Sequence, residues 1–346
     1  MTTMRVTMAQ ALVRYLAAQT SEIDGREVPL FAGVLAIFGH GNVAGLGEAL
    51  YGARERLPTL RAHNEQAMAL AAIAFAKASR RRRMMACTSS VGPGATNMVT
   101  AAAVAHANRL PVLLLPGDVF ASRRPDPVLQ QVEAFGDPTI SVNDCFRPVS
   151  RWWDRITRPE HILESLPQAL RVLTDPADCG PVTLALPQDV QTEAHDYPQG
   201  FFAPRCWRFR QLPPDLAQLA EAAAALSRAR APLIIAGGGV HYALACETLA
   251  DFAARHRVPV AETQAGKGAL VWDHPCAVGA VGVTGSSAAN ELAAHADLIL
   301  AIGTRLSDFT TASRSLFRNP SAQLIQLNVA GFDAAKHGAM PLVADA

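Results

Sequence analysis

Apolar runs no longer than a β-strand alternate along this chain with stretches of helical character, which is the pattern of a parallel α/β sheet. Two such sets are expected. The first runs from a helix at about Thr7 to Gln19, through strands near Val34 to Phe38, Met84 to Thr88 and Leu110 to Leu115, to a last strand near Pro181 to Leu186. Pro187, Pro198, Pro204, Pro213 and Pro214 then punctuate a segment with little periodicity, so 187–214 reads as an extended linker. Beyond it, strands are expected near Leu233 to Ala236, Pro259 to Ala261, Leu298 to Ile302 and Leu324 to Leu327. Helices are expected near Asp215 to Ser227, Ala243 to His256 and Ser287 to His295. The domains are thereby set at 1–186 and 215–346.

Composition narrows the function classes. With 346 residues, half of them hydrophobic, 18% charged and a formal net charge of +1, the chain can bury two ordinary cores. It carries no electrostatic bias toward nucleic acid or acidic membranes. The longest apolar runs, such as Pro111 to Pro116 and Asp297 to Ile302, are far too short to span a bilayer, and Met1 to Arg5 lacks the apolar core of a signal peptide. A cytoplasmic small-molecule role is expected, with no nucleic-acid or membrane partner. The run Arg80 to Arg83 follows a helix and precedes a strand, where a solvated basic turn is the expectation. The six cysteines show no Cys-x-x-Cys pair or zinc spacing, which fits reduced thiols, each a small core or loop residue. No metal ligands are assigned.

One carboxylate stands apart. Arg61-Ala62-His63-Asn64-Glu65-Gln66 leads directly into an Ala-rich run from Ala67 to Ala78. Met68, Ala72 and Phe75 recur there at helical spacing among small residues, so the helix is expected to be buried on most of its circumference. A carboxylate at the mouth of such a helix needs a partner. A ring nitrogen with which it shares a proton would give it a chemical role instead of a packing one. The segment Thr88-Ser89-Ser90-Val91-Gly92-Pro93-Gly94-Ala95-Thr96-Asn97 follows one strand later. Its glycines permit tight turns, Pro93 fixes φ, and a helix over Ala95 to Ala107 points its N-terminus back at the same place.

These two segments together resemble the pyrimidine-binding domain of thiamine diphosphate enzymes. Four further strings, Phe38 to Gly45, Asn108 to Asp118, Asn143 to Arg151 and Gly303 to Thr311, are similar to one branch of that family. That branch hydrolyses a C–C bond of a cyclic trihydroxylated 1,2-dione in inositol catabolism, giving a 5-deoxyglucuronate-like acid. The resemblance runs from about Met4 to Ala346. It implies two consecutive parallel-sheet α/β domains, a pyrimidine-binding one followed by a Rossmann-like central one, with thiamine diphosphate and Mg²⁺ as cofactors. It also implies that Glu65 bonds N1′ of the aminopyrimidine and drives its tautomer, and that the loop bearing Pro93 and Asn97 walls that ring. Gly39 and Gly41 join the expected cofactor-binding set. His40 is the second catalytic candidate, because it lies on the loop after the first strand, at the carboxyl edge where α/β ligands gather. His63 and Gln130 are candidate substrate contacts on position alone.

The family holds the diphosphate through a metal bound by Gly-Asp-Gly and a later Asn, and this sequence has no Gly-Asp-Gly. The nearest strings, Gly117-Asp118-Val119 and Gly136-Asp137-Pro138, lie in the first domain. The chain is therefore expected to be two domains of a three-domain enzyme: a truncated product, a split gene's first subunit or a degraded gene. It would need a diphosphate-domain polypeptide for activity, and homo-oligomers are expected because relatives pair their pyrimidine domains. Two other readings stay open: a non-catalytic binding or scaffold protein that keeps the fold, and a nicotinamide or flavin oxidoreductase. For the latter, Gly39-His40-Gly41-Asn42-Val43-Ala44 meets a loose dinucleotide fingerprint, but the second strand ends in Arg61-Ala62-His63 and not in an acidic residue. Gly237-Gly238-Gly239 reads as a structural turn. The corresponding domain of acetohydroxyacid synthase carries FAD, which is left open here and not expected.

Overall fold

A computed structural model describes residues 2–125 and 127–346, and the chain divides between Phe209 and Arg210 into two compact units. The first is built on six parallel strands, β1 (Phe31–Ala36), β2 (Thr59–Arg61), β3 (Met84–Ser89), β4 (Val112–Asp118), β5 (Trp152–Arg155) and β6 (Pro181–Pro187). Their order across the sheet is β2-β1-β3-β4-β6-β5. The central strands β3, β4 and β6 are buried at every position, so they read in sequence as unbroken apolar runs instead of an alternation. The order reverses between β1 and β3. Crevices for ligands open at such a reversal, beyond the strand carboxyl ends.

Helices α1 (Met8–Ala17), α2 (Glu65–Ala78), α3 (Val99–Asn108) and α4 (Ile162–Leu173) accompany this sheet. Thr7 starts α1 with a reciprocal cap: its hydroxyl accepts from the Gln10 amide N–H at 3.2 Å, and the Gln10 side chain accepts from the Thr7 N–H at 3.1 Å. Met8, Ala9, Leu12, Val13 and Leu16 of α1 then join one core with Leu166, Leu170 and Leu173 of α4. The Ala-rich α2 departs from its expected burial. Met68, Ala69, Ala72, Ile73 and Ala76 are buried, whereas Ala67, Ala71, Ala74 and Ala78 are not. One face of the helix packs on the sheet and α3, and the opposite face is left open. The basic run forms a tight turn after α2: Arg80 and Arg81 have φ of 51° and 61°, and Arg83 donates from Nε to the Pro29 carbonyl at 2.9 Å.

The stretch expected as a linker over 187–214 has defined structure as far as Trp207. Gln188–Thr192 is a short helix, Ala194–Pro198 pairs antiparallel with Thr3–Thr7, and Arg205–Trp207 runs parallel to Gln19–Ile23. The reason is aromatic anchoring. Tyr197 is fully buried and donates its hydroxyl to the Pro159 carbonyl at 2.7 Å, while Phe201 stacks on Tyr15 with ring centroids 4.7 Å apart. Pro198 ends its strand, where a missing N–H costs no ladder bond. The first unit thus reaches Phe209.

The second unit is another six-stranded parallel sheet: β7 (Pro232–Ala236), β8 (Val260–Glu262), β9 (Ala277–Ala280), β10 (Leu298–Ile302), β11 (Gln323–Asn328) and β12 (Met340–Val343). Its order β9-β8-β7-β10-β11-β12 is the doubly wound order of dinucleotide folds. Helices α5 (Leu216–Arg228), α6 (Gly238–Tyr242), α7 (Cys246–His256) and α8 (Ser287–His295) accompany it. The single helix expected over Ala243 to His256 is instead broken before Cys246, where Leu244 takes a φ of 60°. The Gly237 to Gly239 turn is filled by its own fold: a Cβ on Gly237 would lie 2.4 Å from the Gly303 carbonyl oxygen, and one on Gly239 2.5 Å from the Gly303 Cα. The glycines there serve close packing of the β7 and β10 loops.

Candidate functional site

Asn64 caps α2 by accepting the Ala67 N–H at 2.9 Å, which makes Glu65 the first helical residue and turns it toward the loop after β3. In that loop Gly92 has φ 62°, ψ −124°, and a Cβ there would lie 2.0 Å from the Gln130 carbonyl oxygen. No other residue type fits both constraints. Pro93 then opens a single helical turn, Pro93–Thr96, that carries Asn97 back over α2. The Asn97 amide donates to Glu65 Oε2 at 2.8 Å. The other oxygen, Oε1, lies against the bare face of Gly94, where a Cβ would meet it at 3.3 Å. Glu65, Pro93, Gly94, Thr96 and Asn97 together line an open hollow of about 550 Å³. Glu65 itself is half-buried.

His40, Gly39 and Gly41 form a second layer beside this hollow and do not line it. A Cβ on Gly39 would lie 2.7 Å from Ser90 Oγ and one on Gly41 2.6 Å from Val91 Cγ1, so these glycines let the loop after β1 press against the loop after β3. His40 Nε2 donates to the Leu129 carbonyl at 2.7 Å and so ties down the long connection after β4. Gln130 follows in that connection with φ 62°, its carbonyl over Gly92. His63 is exposed and contributes no wall to the hollow.

Three polar side chains that sequence reasoning passed over hold this arrangement. Asn42 is buried and engages its whole amide: Nδ2 donates to the Ile37 carbonyl and to Thr88 Oγ1, both at 3.1 Å, and Oδ1 accepts the Gly39 N–H at 2.9 Å. Gln191 does the same from the far side, donating to the Gly41 and Leu186 carbonyls at 2.8 Å and accepting from the Leu46 N–H at 3.1 Å. Ser90 Oγ accepts the Gly41 N–H at 3.3 Å. The connection after β4 is pinned at its start by Asp189, whose two oxygens accept the Ala121 and Ser122 N–H groups at 2.9 Å. At its end Arg155 bridges Asp118 at 2.9 Å and Asp144 at 2.5 Å. Burial disfavours the Asp144 carboxylate, yet hydrogen bonds from Arg147, Arg155 and the Ser141 N–H outweigh it and hold the group below its ordinary range.

Residues 32–136 match the thiamine pyrophosphate enzyme N-terminal TPP binding domain, and residues 219–346 match the thiamine pyrophosphate enzyme central domain. The chain belongs to the thiamine pyrophosphate enzymes. It is 53% identical over all 346 residues to 3D-(3,5/4)-trihydroxycyclohexane-1,2-dione hydrolase 1 of Bacillus cereus, of which it covers 54%. The hydrolase of the same description from Bacillus anthracis is also 53% identical, and that of Bacillus thuringiensis (strain Al Hakam) 52%, with the same coverage. The chain thus spans about half the length of these curated relatives. The first match falls on strands β1 to β4 of the first parallel sheet, and the second takes in the whole of the other sheet. The hollow beside Glu65 falls inside the TPP-binding match, and its donor set suits a flat aminopyrimidine: a carboxylate with one oxygen steadied by an amide, set against a glycine and a proline. Among the described residues no group of three or more His, Cys, Asp or Glu could hold a metal ion, and no helix is long and apolar enough to cross a membrane.

Proposed function

We propose that this chain supplies the aminopyrimidine side of a thiamine diphosphate site, within a cytoplasmic enzyme of inositol catabolism that hydrolyses a C–C bond of trihydroxycyclohexane-1,2-dione. The observation that carries the reading is the Glu65 carboxylate, steadied by Asn97 and open to the hollow through Oε1. Bound thiamine diphosphate supplies an electron sink for the carbon next to the cleaved bond. Glu65 holds and returns the proton at the ring nitrogen facing it, and Asn97 keeps the carboxylate aimed. Pro93 and Gly94 present a wall that admits a planar ring. His40, which fastens the Leu129 to Gln130 backbone beside the hollow, positions the substrate-side loop, with His63 and Gln130 at its rim. The diphosphate and Mg²⁺ are held by residues outside these two domains, in a further segment or a partner polypeptide, and the working particle is a homo-oligomer.

The test combines this chain with a polypeptide matching the remaining part of a relative, thiamine diphosphate, Mg²⁺ and the dione, and follows ring opening. Turnover in the combined sample and none in either part alone is the expected result. Absence of turnover together with unaltered cofactor binding would favour a fold-retaining binding protein. Calorimetric titration of the chain alone adds the second arm: tight, metal-dependent binding of the cofactor would overturn the assignment of the diphosphate and metal to other residues.

A further inference from the structure

In the second unit, at the carboxyl edge of β7 and β8, a thiol and an imidazole meet. Cys246 Sγ lies 3.4 Å from His241 Nδ1. The other ring nitrogen, Nε2, lies 3.1 Å from the Lys267 carbonyl oxygen. A carbonyl only accepts, so that bond places the ring proton on Nε2 and leaves Nδ1 with its lone pair toward sulfur. The thiol therefore donates to Nδ1. A nucleophile within reach of a base, with the base oriented by a third group, is the general arrangement of an activated side chain.

The position of Cys246 adds an independent factor. It is the first residue of α7, an 11-residue helix, where the helix dipole favours negative charge on sulfur. It is half-buried, within reach of small molecules. The other five cysteines lack this setting. Burial pushes the Cys87 thiol well up and the Cys179 thiol up to about 11. Cys276 donates to the Ala253 carbonyl at 3.3 Å, and Cys145 and Cys206 are exposed. Among the described residues, no sulfur but that of Cys246 meets a histidine nitrogen.

We propose that Cys246 is a nucleophilic thiol, activated by His241, that reacts with hydroperoxides to form a sulfenic acid. The sulfur proton passes to His241 Nδ1. Sulfur then attacks the outer oxygen of the peroxide, which keeps its hydrogen; the S–O bond forms and the O–O bond breaks. The leaving oxygen takes the proton from Nδ1 and departs as water or an alcohol. Sulfur is oxidised by two electrons and the peroxide is reduced by two, and the imidazole returns to its starting state.

The experiment treats the full chain with hydrogen peroxide, traps sulfenic acid with dimedone and maps the adducts by peptide mass spectrometry over time. Capture is expected first at Cys246, ahead of the exposed Cys145 and Cys206. Replacing the base is expected to slow capture at Cys246 by on the order of 100-fold, the low end of general acid–base contributions. Two variants are used, His241→Ala and His241→Gln; the amide of the latter can hydrogen bond but takes no proton, so it should be as slow as alanine. Capture at the two exposed cysteines should be unchanged in both. Equal rates at Cys246, Cys145 and Cys206 in the unaltered chain would overturn the proposal without recourse to any variant. So would a rate at Cys246 indifferent to His241→Gln.

Discussion

At the scale of single residues, two positions separate chemistry from support. Glu65→Gln keeps the size of the side chain and its capacity to bond Asn97, so the melting temperature is expected to hold while turnover of the completed enzyme falls by roughly 10² to 10⁴-fold. Retained turnover at unchanged stability would remove Glu65 from the reaction. Gly92→Ala tests support instead. It forces a side chain into a left-handed conformation and onto the Gln130 carbonyl, so a loss of about 1–3 kcal/mol is expected from backbone strain alone, read by urea unfolding. The meeting of Glu65, Pro93 and Asn97 at one hollow was legible in sequence, since each sits in a motif whose turn and cap chemistry fix where it points. Asn42 and Gln191 were not. Gln191 acts 150 residues from the Gly41 carbonyl it binds, and no local pattern announces such a partner.

Among elements, strands were readable in proportion to their burial. The continuous apolar runs of β3, β4 and β6 left little choice, whereas β5, Trp152–Arg155, is half-buried throughout and carries no hydrophobic period. Arg155 of β5 neutralises Asp118 of β4, a side chain only 1% exposed, across a sheet position where β6 lies between them. Arg155→Met would leave that carboxylate buried without its cation, and a loss of about 3–5 kcal/mol is expected in denaturant unfolding. Asp144 gives the matching pH dependence. Its folded carboxylate is held below the ordinary range, so it contributes stability above its unfolded value, about 3.9, and that contribution disappears as pH falls through the folded value. Asp144→Asn should therefore flatten the acid limb of a stability profile below about pH 4. An undiminished acid limb would mean that other carboxylates carry it. The Asp24-Gly25 turn, with φ of 52° and 74°, joins Gln19–Ile23 to Arg26–Pro29, and its residue pair is a hairpin signal that stands outside the α/β alternation.

For the whole molecule, the open faces of α2 and α3 bear on the homo-oligomer proposed above. Ala67, Ala71, Ala74 and Ala78 on one helix and Val104, 38% exposed, on the other form a surface of small apolar groups that suits close approach of a second copy. Ala71→Arg is expected to shift the particle toward monomer in light scattering with its melting temperature preserved, and an unchanged mass would place the contact elsewhere. A different division of the chain follows from the pairing of Thr3–Thr7 with Ala194–Pro198. A fragment ending at Phe209 should fold and one ending at Leu186 should not, because the shorter piece lacks Tyr197 and the strand that pairs with Thr3–Thr7. During synthesis Thr3–Thr7 leaves the ribosome long before its neighbour does: Arg5 waits for Asp196, 191 residues later. Until then the core beneath α1 lacks the buried Tyr197 ring, so the yield of this protein should depend on chaperone supply during translation more than its final stability would suggest.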